Sequence, residues 1–245
     1  MAGLWEPVGG REEFDQVDVQ LIRTDRPDPA STEAAMAYLQ VTVTDGDAAR
    51  VGRGFSGAAV ELALAGYPGF SLTAPPGRES PLLVYWPSEV PQPESVVTIG
   101  DETFTVAPAP SGPPLPESTA GDGVGGGTVH RGEPAVEAPL GRIVGARSGD
   151  KGGDANIGVW ARSDAAFAWL RAYLTTERLR DLIPETADLA VERYELANLR
   201  ALNFVVRRLL GVGVASSTRW DPQAKGLGEY LRARVVPIPE ALLAV

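Results

Sequence analysis

The sequence of 245 residues has no cysteine and a single histidine, His130. The absence of cysteine excludes disulfides, a thiolate nucleophile and thiolate metal ligands, and it favours a reducing, cytoplasmic location. His130 lies in a Pro/Gly-rich stretch without a partner region, which argues against serine–histidine catalysis and against a histidine-bound metal. We therefore expect no metal site, and we expect any catalysis to use Asp, Glu, Lys, Tyr or Arg, or residues of another chain.

Long hydrophobic runs are also lacking. No stretch approaches the roughly 18 consecutive apolar residues of a membrane-spanning helix, and residues 1–6, MAGLWE, lack the basic and apolar regions of a signal peptide. We expect a protein that neither spans a membrane nor is secreted.

Basic residues are scarce in the first half of the chain. Residues 1–136 carry seven Lys and Arg against nineteen Asp and Glu, whereas residues 137–245 carry fifteen against thirteen. The net charges of these halves are therefore −12 and +2, which together give −10. Nucleic-acid binding needs a clustered basic surface, so this distribution argues against it. The second half is basic enough to attract a small anion.

A stretch rich in proline and glycine divides the chain. Residues 107–139 contain few large apolar side chains and cannot offset the entropy of ordering by burial. This composition predicts a disordered linker between a first part, residues 1–106, and a second part, residues 140–240.

Hydrophobic periodicity predicts helices and strands on both sides of this linker. In the first part, apolar and polar residues alternate over 17–21 and 39–43, which is typical of half-buried strands. The small, apolar run 48–65 predicts a helix. Further strands are predicted at residues 70–73, 82–86, 96–99 and 103–106, and Gly100 and Asp101 are predicted to join the last two as a tight hairpin.

The second part predicts an antiparallel sheet with helices on one face, and hence an α+β fold. Ser163 is a predicted helix cap, and either Thr175 or Thr176 is predicted to cap a further turn. Asn198 is predicted to cap a helix with an apolar stripe at Leu199, Leu202, Val206 and Leu209. The predicted strands are 140–146, 155–161, 189–194, 214–220 and 232–238, and a short helix is predicted at 227–231.

The most informative segment runs from Arg147 to Gly158 and reads RSGDKGGDANIG. A glycine-rich turn that carries cations and hydrogen-bond donors can bind a carboxylate or a phosphate. Here Arg147 and Lys151 would attract the anion, Ser148 and backbone N–H groups would orient it, and Asn156 would fix the turn. The candidate ligand-binding residues are Arg147, Ser148, Gly149, Asp150, Lys151, Gly152 and Asn156. The alternative is a polar hairpin loop in which Asp150 and Asp154 neutralise the basic residues.

Two later segments supply candidate supporting residues. Glu192 and Asn198 lie where a predicted strand runs into a predicted helix, and Asn203 interrupts the apolar stripe of that helix. A buried asparagine must be hydrogen-bonded, so Asn203 is expected to hold a neighbouring segment such as 147–158. Arg219 is expected to lie with Ser217 and Asp221 on one face of a strand, which could equally be a solvated face.

Three stretches together resemble the ferredoxin-like domain at the carboxyl end of acyclic terpene utilisation (AtuA) proteins: Arg147–Gly158, Glu192–Phe204 and Ser216–Glu229. Upstream, 24–29, 51–63 and 67–76 resemble the last part of that family's large first domain. The resemblance implies a truncated α/β N-terminal part, joined by the Pro/Gly-rich linker to a ferredoxin-like α/β sandwich.

The resemblance also implies a function. It suggests a component of the catabolism of acyclic terpenes or branched acids, handled as acyl-coenzyme A thioesters, with a ferredoxin-like domain that binds a carboxylate or thioester. It indicates no particular cofactor. Because most of the large domain is missing ahead of residue 17, it implies a protein partner that supplies this domain, or a homo-oligomer. Two alternatives remain: a non-catalytic subunit that completes a separately encoded large domain, and a stand-alone enzyme with Asp150 or Asp154 as base.

Overall fold

A computed structural model describes residues 2–65, 69–110, 112 and 134–243. The chain divides into two compact units, residues 1–83 and 84–245. His130 and most of the predicted linker lie outside the described residues. The end of that linker prediction is wrong, because residues 135–139 form a strand.

The first unit contains a two-stranded sheet and two helices. Strands β1 (Gln16–Ile22) and β2 (Tyr38–Thr44) pair antiparallel along their whole length, which confirms the alternation seen in the sequence. Helix α1 spans Ala2–Trp5 and helix α2 spans Phe55–Ala65. The predicted helix over 48–65 is interrupted, because Gly52 has non-helical dihedral angles within a turn of π-helix at Arg50–Gly54.

A small aromatic cluster holds these elements together. Trp5 stacks on Phe55, and Phe14 meets both rings edge-on, with ring centroids 5.7–6.2 Å apart. Residues 70–73 and 82–86, which were predicted as strands, form none.

The second unit begins with a hairpin of β3 (Ser95–Ile99) and β4 (Glu102–Val106), as predicted. Strand β5 (Ala135–Pro139) pairs with β10 (Val235–Pro239). The part of the chain between β5 and β10 forms a four-stranded antiparallel sheet. Its strands are β6 (Val144–Lys151), β7 (Asp154–Ala161), β8 (Val191–Leu196) and β9 (Ala201–Val206), arranged in the order β6-β7-β9-β8. The helices are α3 (Asp164–Tyr173), α4 (Thr176–Leu182), α5 (Leu227–Ala233) and α6 (Glu240–Leu243).

Only one face of this sheet is buried. On β7, Ala155, Ile157 and Val159 are fully buried, and the residues that follow each of them, Asn156, Gly158 and Trp160, face the other way. Strand β9 repeats the alternation and buries Leu202, Phe204 and Val206. The helices supply the other side of the core, mainly through Trp169, Leu170, Leu179 and Leu231. We call the opposite, half-exposed surface of the four strands the open face.

This arrangement confirms an α+β fold with a ferredoxin-like domain. From β7 through α3, α4, β8 and β9 to α5, the chain follows the β-α-β-β-α order of such domains. The fourth strand of the sheet is β6, which precedes this unit and pairs with β7 as a hairpin.

Helix α3 begins at the predicted cap Ser163, whose hydroxyl accepts a hydrogen bond from Ala166 N, and Thr175 caps α4 in the same way through Arg178 N.

The helix predicted from Asn198 is wrong. Residues 197–199 form one turn of 3-10 helix, Arg200 adopts a left-handed conformation with φ 49°, and the chain then returns as β9. The apolar residues fit a helical spacing, but Leu202, Phe204 and Val206 also fit a spacing of two. Pairing with both β7 and β8 decides for the strand.

The strand predicted over 214–220 is also wrong. Only a 3-10 turn forms there, at Val214–Ser216, after Gly211 and Gly213, which both have positive φ. The first predicted strand of this part, 140–146, is shifted, because a 3-10 turn at Leu140–Arg142 precedes β6.

A buried arginine joins the sheet to helix α3. Arg193 on β8 is 4% exposed, and among its contacts it donates hydrogen bonds to the carbonyl oxygens of Leu174 at 3.1 Å and Arg171 at 2.9 Å. These are carbonyls at the carboxyl end of α3, which carry partial negative charge and lack helical partners. Burial lowers the pKa of the Arg193 guanidinium, but an arginine stays protonated in proteins.

We predict that Arg193→Ala lowers the free energy of unfolding by about 2–4 kcal/mol, because it leaves buried carbonyl oxygens without donors. Arg171→Ala is the matched control: this side chain is half-exposed and pairs with Glu195 at 2.8 Å, so its loss should cost less than about 1 kcal/mol. Urea unfolding at neutral pH measures both. Equal effects of the two substitutions would contradict the role given to Arg193.

Candidate functional site

The segment 147–158, predicted as a glycine-rich anion-binding loop, is instead a tight β-hairpin between β6 and β7. Its backbone N–H and C=O groups pair across the hairpin and do not form an anion cradle. Gly152 has φ 65° and lies under the ring of Tyr85, while a Cβ atom at Gly153 would overlap the carbonyl oxygen of Gly211. These glycines therefore serve the turn and its packing.

The hairpin sends its candidate residues to two different faces. Ser148 lies on the helix side, 9% exposed, where its hydroxyl accepts from Gly228 N at 2.8 Å and donates to Lys225 O at 3.3 Å. Asp150 lies on the same side and is 3.5 Å from the Lys225 ammonium. Neither residue lies beside Arg147 on the open face, and Ser148 serves to fasten α5.

Arg147, Gly158, Asn203 and Tyr194 form one row across all four strands of the open face, because each is the register partner of the next. Gly158 is the low point of this row. A Cβ atom there would meet only Arg147 O at 3.8 Å and Asn203 Oδ1 at 4.0 Å, so a ligand atom can approach the sheet closely.

Two asparagines border this low point. Asn156 Nδ2 donates to Asn203 Oδ1 at 2.5 Å, so Asn203 does contact the 147–158 segment. This bond occupies the oxygen of Asn203 and leaves its Nδ2 to offer two N–H donors. Arg147 is exposed and has no hydrogen-bond or ion-pair partner among the described residues. The centre of the open face therefore presents donors and a positive charge.

The rows on either side differ in character. Towards one end lie Gly145, Trp160, Ala201 and Leu196, an apolar row in which Trp160 is 43% and Leu196 41% exposed. A Cβ atom at Gly145 would overlap the indole. The Trp160 ring therefore rests on the backbone of β6.

Towards the other end, the next row is Gly149, Asn156, Val205 and Glu192, and Lys151 and Asp154 lie opposite each other one row further. We call Lys151, Asp154, Arg207 and the adjacent Glu192 the charged row, and its four charges cancel. Arg207 donates to both carboxylate oxygens of Glu192 at 2.7 and 2.8 Å and to Asp154 at 2.7 Å. Tyr194 donates to Glu192 at 2.6 Å. The hydrogen bonds from Arg207, and then that from Tyr194, hold the pKa of Glu192 below its usual range, and the bond to Glu192 raises the pKa of Tyr194.

The two candidate bases are separated by the sheet. Asp150 lies on the helix side, whereas Asp154 accepts from Arg207 and from Arg208 N at 2.8 Å. They cannot act as a carboxylate pair. Within the described ranges there is no cluster of three or more His, Asp or Glu that could hold a metal ion.

The remaining candidates are scattered. Asn198 is exposed in the β8–β9 turn, and Arg219 pairs with Glu185 at 2.6 Å in the loop before α5. Lys151, at the end of β6, donates to Asp150 O at 3.1 Å. Of the residues singled out from the sequence, Arg147, Asn156, Glu192 and Asn203 lie on this face; Gly158, Trp160, Tyr194 and Arg207 lie there too and were not among the candidates. Reading 201–206 with a period of two would have placed Asn203 on the half-exposed face of a strand.

Comparison with known proteins agrees with this fold. Residues 5–99 match the model of the acyclic terpene utilisation family protein AtuA, and residues 138–237 match that of the AtuA ferredoxin-like domain. The chain belongs to the AtuA family. The first match ends at Ile99, the last residue of β3, and the second runs from within β5 to within β10 of the ferredoxin-like part.

Neither a curated protein nor a solved structure matches the chain. Among the described residues of this AtuA family member, none of the helices is long and apolar enough to cross a membrane.

We predict that the Glu192 network gives the domain a stability that is lost in acid. Because the pKa of Glu192 is lowered in the folded state, its stabilising effect is present above the ordinary value of 4.5 and disappears as the pH falls from there through the folded pKa. Glu192→Gln should destabilise the domain at pH 7 and make the loss of stability below pH 4.5 less steep. Glu229→Gln, on an exposed i,i+3 pair with Arg232, is the control, and urea midpoints at several pH values measure the difference. Parallel pH curves for wild type and Glu192→Gln would contradict this.

Proposed function

We propose that the ferredoxin-like domain binds the anionic group of a branched carboxylic acid, or of its coenzyme A thioester, on its open face. Through this binding the chain would serve the acyclic terpene utilisation with which its family is linked. The observation that carries the proposal is Arg147, a cation without an internal partner that stands beside the uncovered floor at Gly158.

The surrounding groups suit an anion. The guanidinium of Arg147 can pair with two oxygens of a carboxylate or phosphate in a bidentate geometry. Asn203 adds amide donors, and its bond to Asn156 fixes the orientation of that amide. The acidic side chains nearest this row, Glu192 and Asp154, are already paired with Arg207, so they repel an incoming anion less than free carboxylates would.

In this proposal Lys151 has a lesser role than Arg147. It lies four residues further along β6, which is about 13 Å in an extended strand, so one carboxylate could touch both side chains only if both extended towards each other along the strand. Lys151 would act by long-range attraction, which salt screens.

We predict that Arg147→Ala weakens binding of 3-methylbutanoate and of its coenzyme A thioester about tenfold or more, because charge-assisted hydrogen bonds contribute about 1.5–3 kcal/mol. Arg147→Lys should restore part of the loss, since it keeps the charge without the planar fork. Lys151→Ala is the control on the same strand and should change affinity less than about threefold. Titration of the full chain, followed by amide NMR shifts at Gly158 and its neighbours, measures these affinities. If Arg147→Ala bound both ligands as wild type does, the proposal would fail.

A second candidate function is that of an interaction subunit that completes a separately encoded large domain of the AtuA type. The observation that favours it is the β3–β4 hairpin. Val97, Ile99, Phe104 and Val106 share one face of this hairpin with Ser95 and Glu102, and Ile99, Phe104 and Val106 are 44–66% exposed. The other face carries three threonines and Val96. A lone two-stranded hairpin is marginally stable in water, and an uncovered apolar face is typical of a docking surface.

We predict that the chain purified from its native host carries a second protein and that Phe104→Ser reduces the recovered amount severalfold, because it places a hydroxyl in the apolar face. Thr105→Ser, on the opposite face, should leave recovery unchanged. Mass measurement of the purified species identifies the complex. A lone wild-type monomer would rule out this function while leaving the anion site untouched.

A further inference from the structure

The apolar row beside Arg147 has no role in binding an anion as such. Trp160, Ala201 and Leu196 occupy neighbouring strands at matching register positions, so the row extends over about 10 Å at the usual strand spacing. Its two large side chains are both about two-fifths exposed. Except for the indole N–H, these side chains carry no polar atom.

The Trp160 ring is held as a platform. One face of the indole rests on Gly145, where any side chain would overlap it, and the ring is still 43% exposed. A half-exposed indole with one covered face offers its other face for contact. Ala201, the register partner of Trp160 on β9, keeps the surface beside it low.

The apolar row lies two residues from the row of Arg147, Gly158, Asn203 and Tyr194, which corresponds to about 7 Å along the strands. On the far side of the central row, the next row is Gly149, Asn156, Val205 and Glu192, in which Val205 is the one apolar side chain and is half-buried. Beyond it lie the charged side chains of Lys151, Asp154 and Arg207. For a ligand whose anionic group is bound at Arg147, the larger exposed apolar surface therefore lies towards Trp160 and Leu196, because Val205 on the other side is half-buried between Asn156 and Glu192.

From this we infer that the open face recognises amphipathic anions, with the charged group at Arg147 and an aliphatic chain lying across Trp160, Ala201 and Leu196. This inference rests on the proposed anion site and adds to it the residues that select the chain. An aliphatic chain fits better than a nucleobase, because the row offers no amide or carboxylate to read the polar edge of a base.

The geometry sets a threshold in chain length. The first carbons after the carboxylate lie over Gly158, and only carbons from about the sixth onward reach the indole, given a separation of about 7 Å. Each further methylene that leaves water for a half-open apolar surface should raise affinity about twofold. Shorter chains should show almost no such increase.

The experiment is a titration of the full chain with linear carboxylates from acetate to decanoate, each below its aggregation limit, followed by amide NMR shifts at Gly158 and Trp160. The expected result is a nearly constant affinity up to pentanoate and a rise of about thirtyfold from there to decanoate, about twofold for each of the five added methylenes. Trp160→Ala should abolish the rise and leave acetate binding unchanged, while Trp160→Phe should keep most of it. Trp86→Ala, which removes an indole that is 84% exposed elsewhere in the unit, is the matched control.

Leu196→Ala gives an independent test should Trp160→Ala unfold, since Leu196 lies at the other end of the row and should lose about half of the rise. The inference is overturned if wild-type affinity does not grow with chain length, or if it grows equally in the Trp160→Ala and Leu196→Ala variants. Both results are distinct from failure of the anion site itself. That failure would show as absent acetate binding and would remove the inference with it.

Discussion

The burial of a single face of the four-stranded sheet is the constraint on which the rest of the ferredoxin-like domain depends. Side chains alternate along a strand, so a shift of one residue would exchange the two faces completely. Ile157 and Val159 on β7 and Phe204 on β9 are fully buried, and such a shift would place Asn156, Trp160 and Asn203 in the core instead. The apolar residues of the helix side thereby determine which polar residues meet on the open face. The candidate site is in this sense a consequence of core packing.

Glycine has three separate functions in this small area, although the sequence presents the glycines as one motif. Gly153 permits the tight turn against Gly211, Gly145 gives the Trp160 ring a place to rest, and Gly158 leaves the centre of the face uncovered. Only the last is a feature of a binding site. Composition alone cannot separate these functions, because they depend on which strand or turn each glycine occupies and on what lies opposite.

The sequence predicted the α+β class, the strands β1, β2 and β7, the β3–β4 hairpin, the cap at Ser163 and, as one of two alternatives, the cap at Thr175, because each depends on local periodicity or on a capping side chain. It did not predict β9. The spacing of Leu199, Leu202 and Val206 suits a helix, and Asn198 is a good cap, so local information favoured the wrong element until pairing with β7 and β8 was known. The error had a direct consequence for the site: with 201–206 read as a helix, Asn203 and Arg207 could not be placed in one surface with Arg147. Ser148 was misplaced for a similar reason, since a loop has no faces and a strand has two.

The distribution of charge on the open face distinguishes the proposed anion site at its centre from the charged row at one end. Lys151 and Arg207 carry two positive charges in the charged row and Asp154 and Glu192 carry two negative ones, so that row has no net charge. The apolar row has none either, and Arg147 is left as the one uncompensated charge among these three rows. The proposed anion site therefore coincides with this uncompensated positive charge at the centre of the face. Because the paired residues of the charged row hold one another in place and the Trp160 ring is supported by Gly145, the surface on both sides of that position is formed before any ligand binds. Little further ordering is then required on binding, and such pre-organisation lowers its entropic cost.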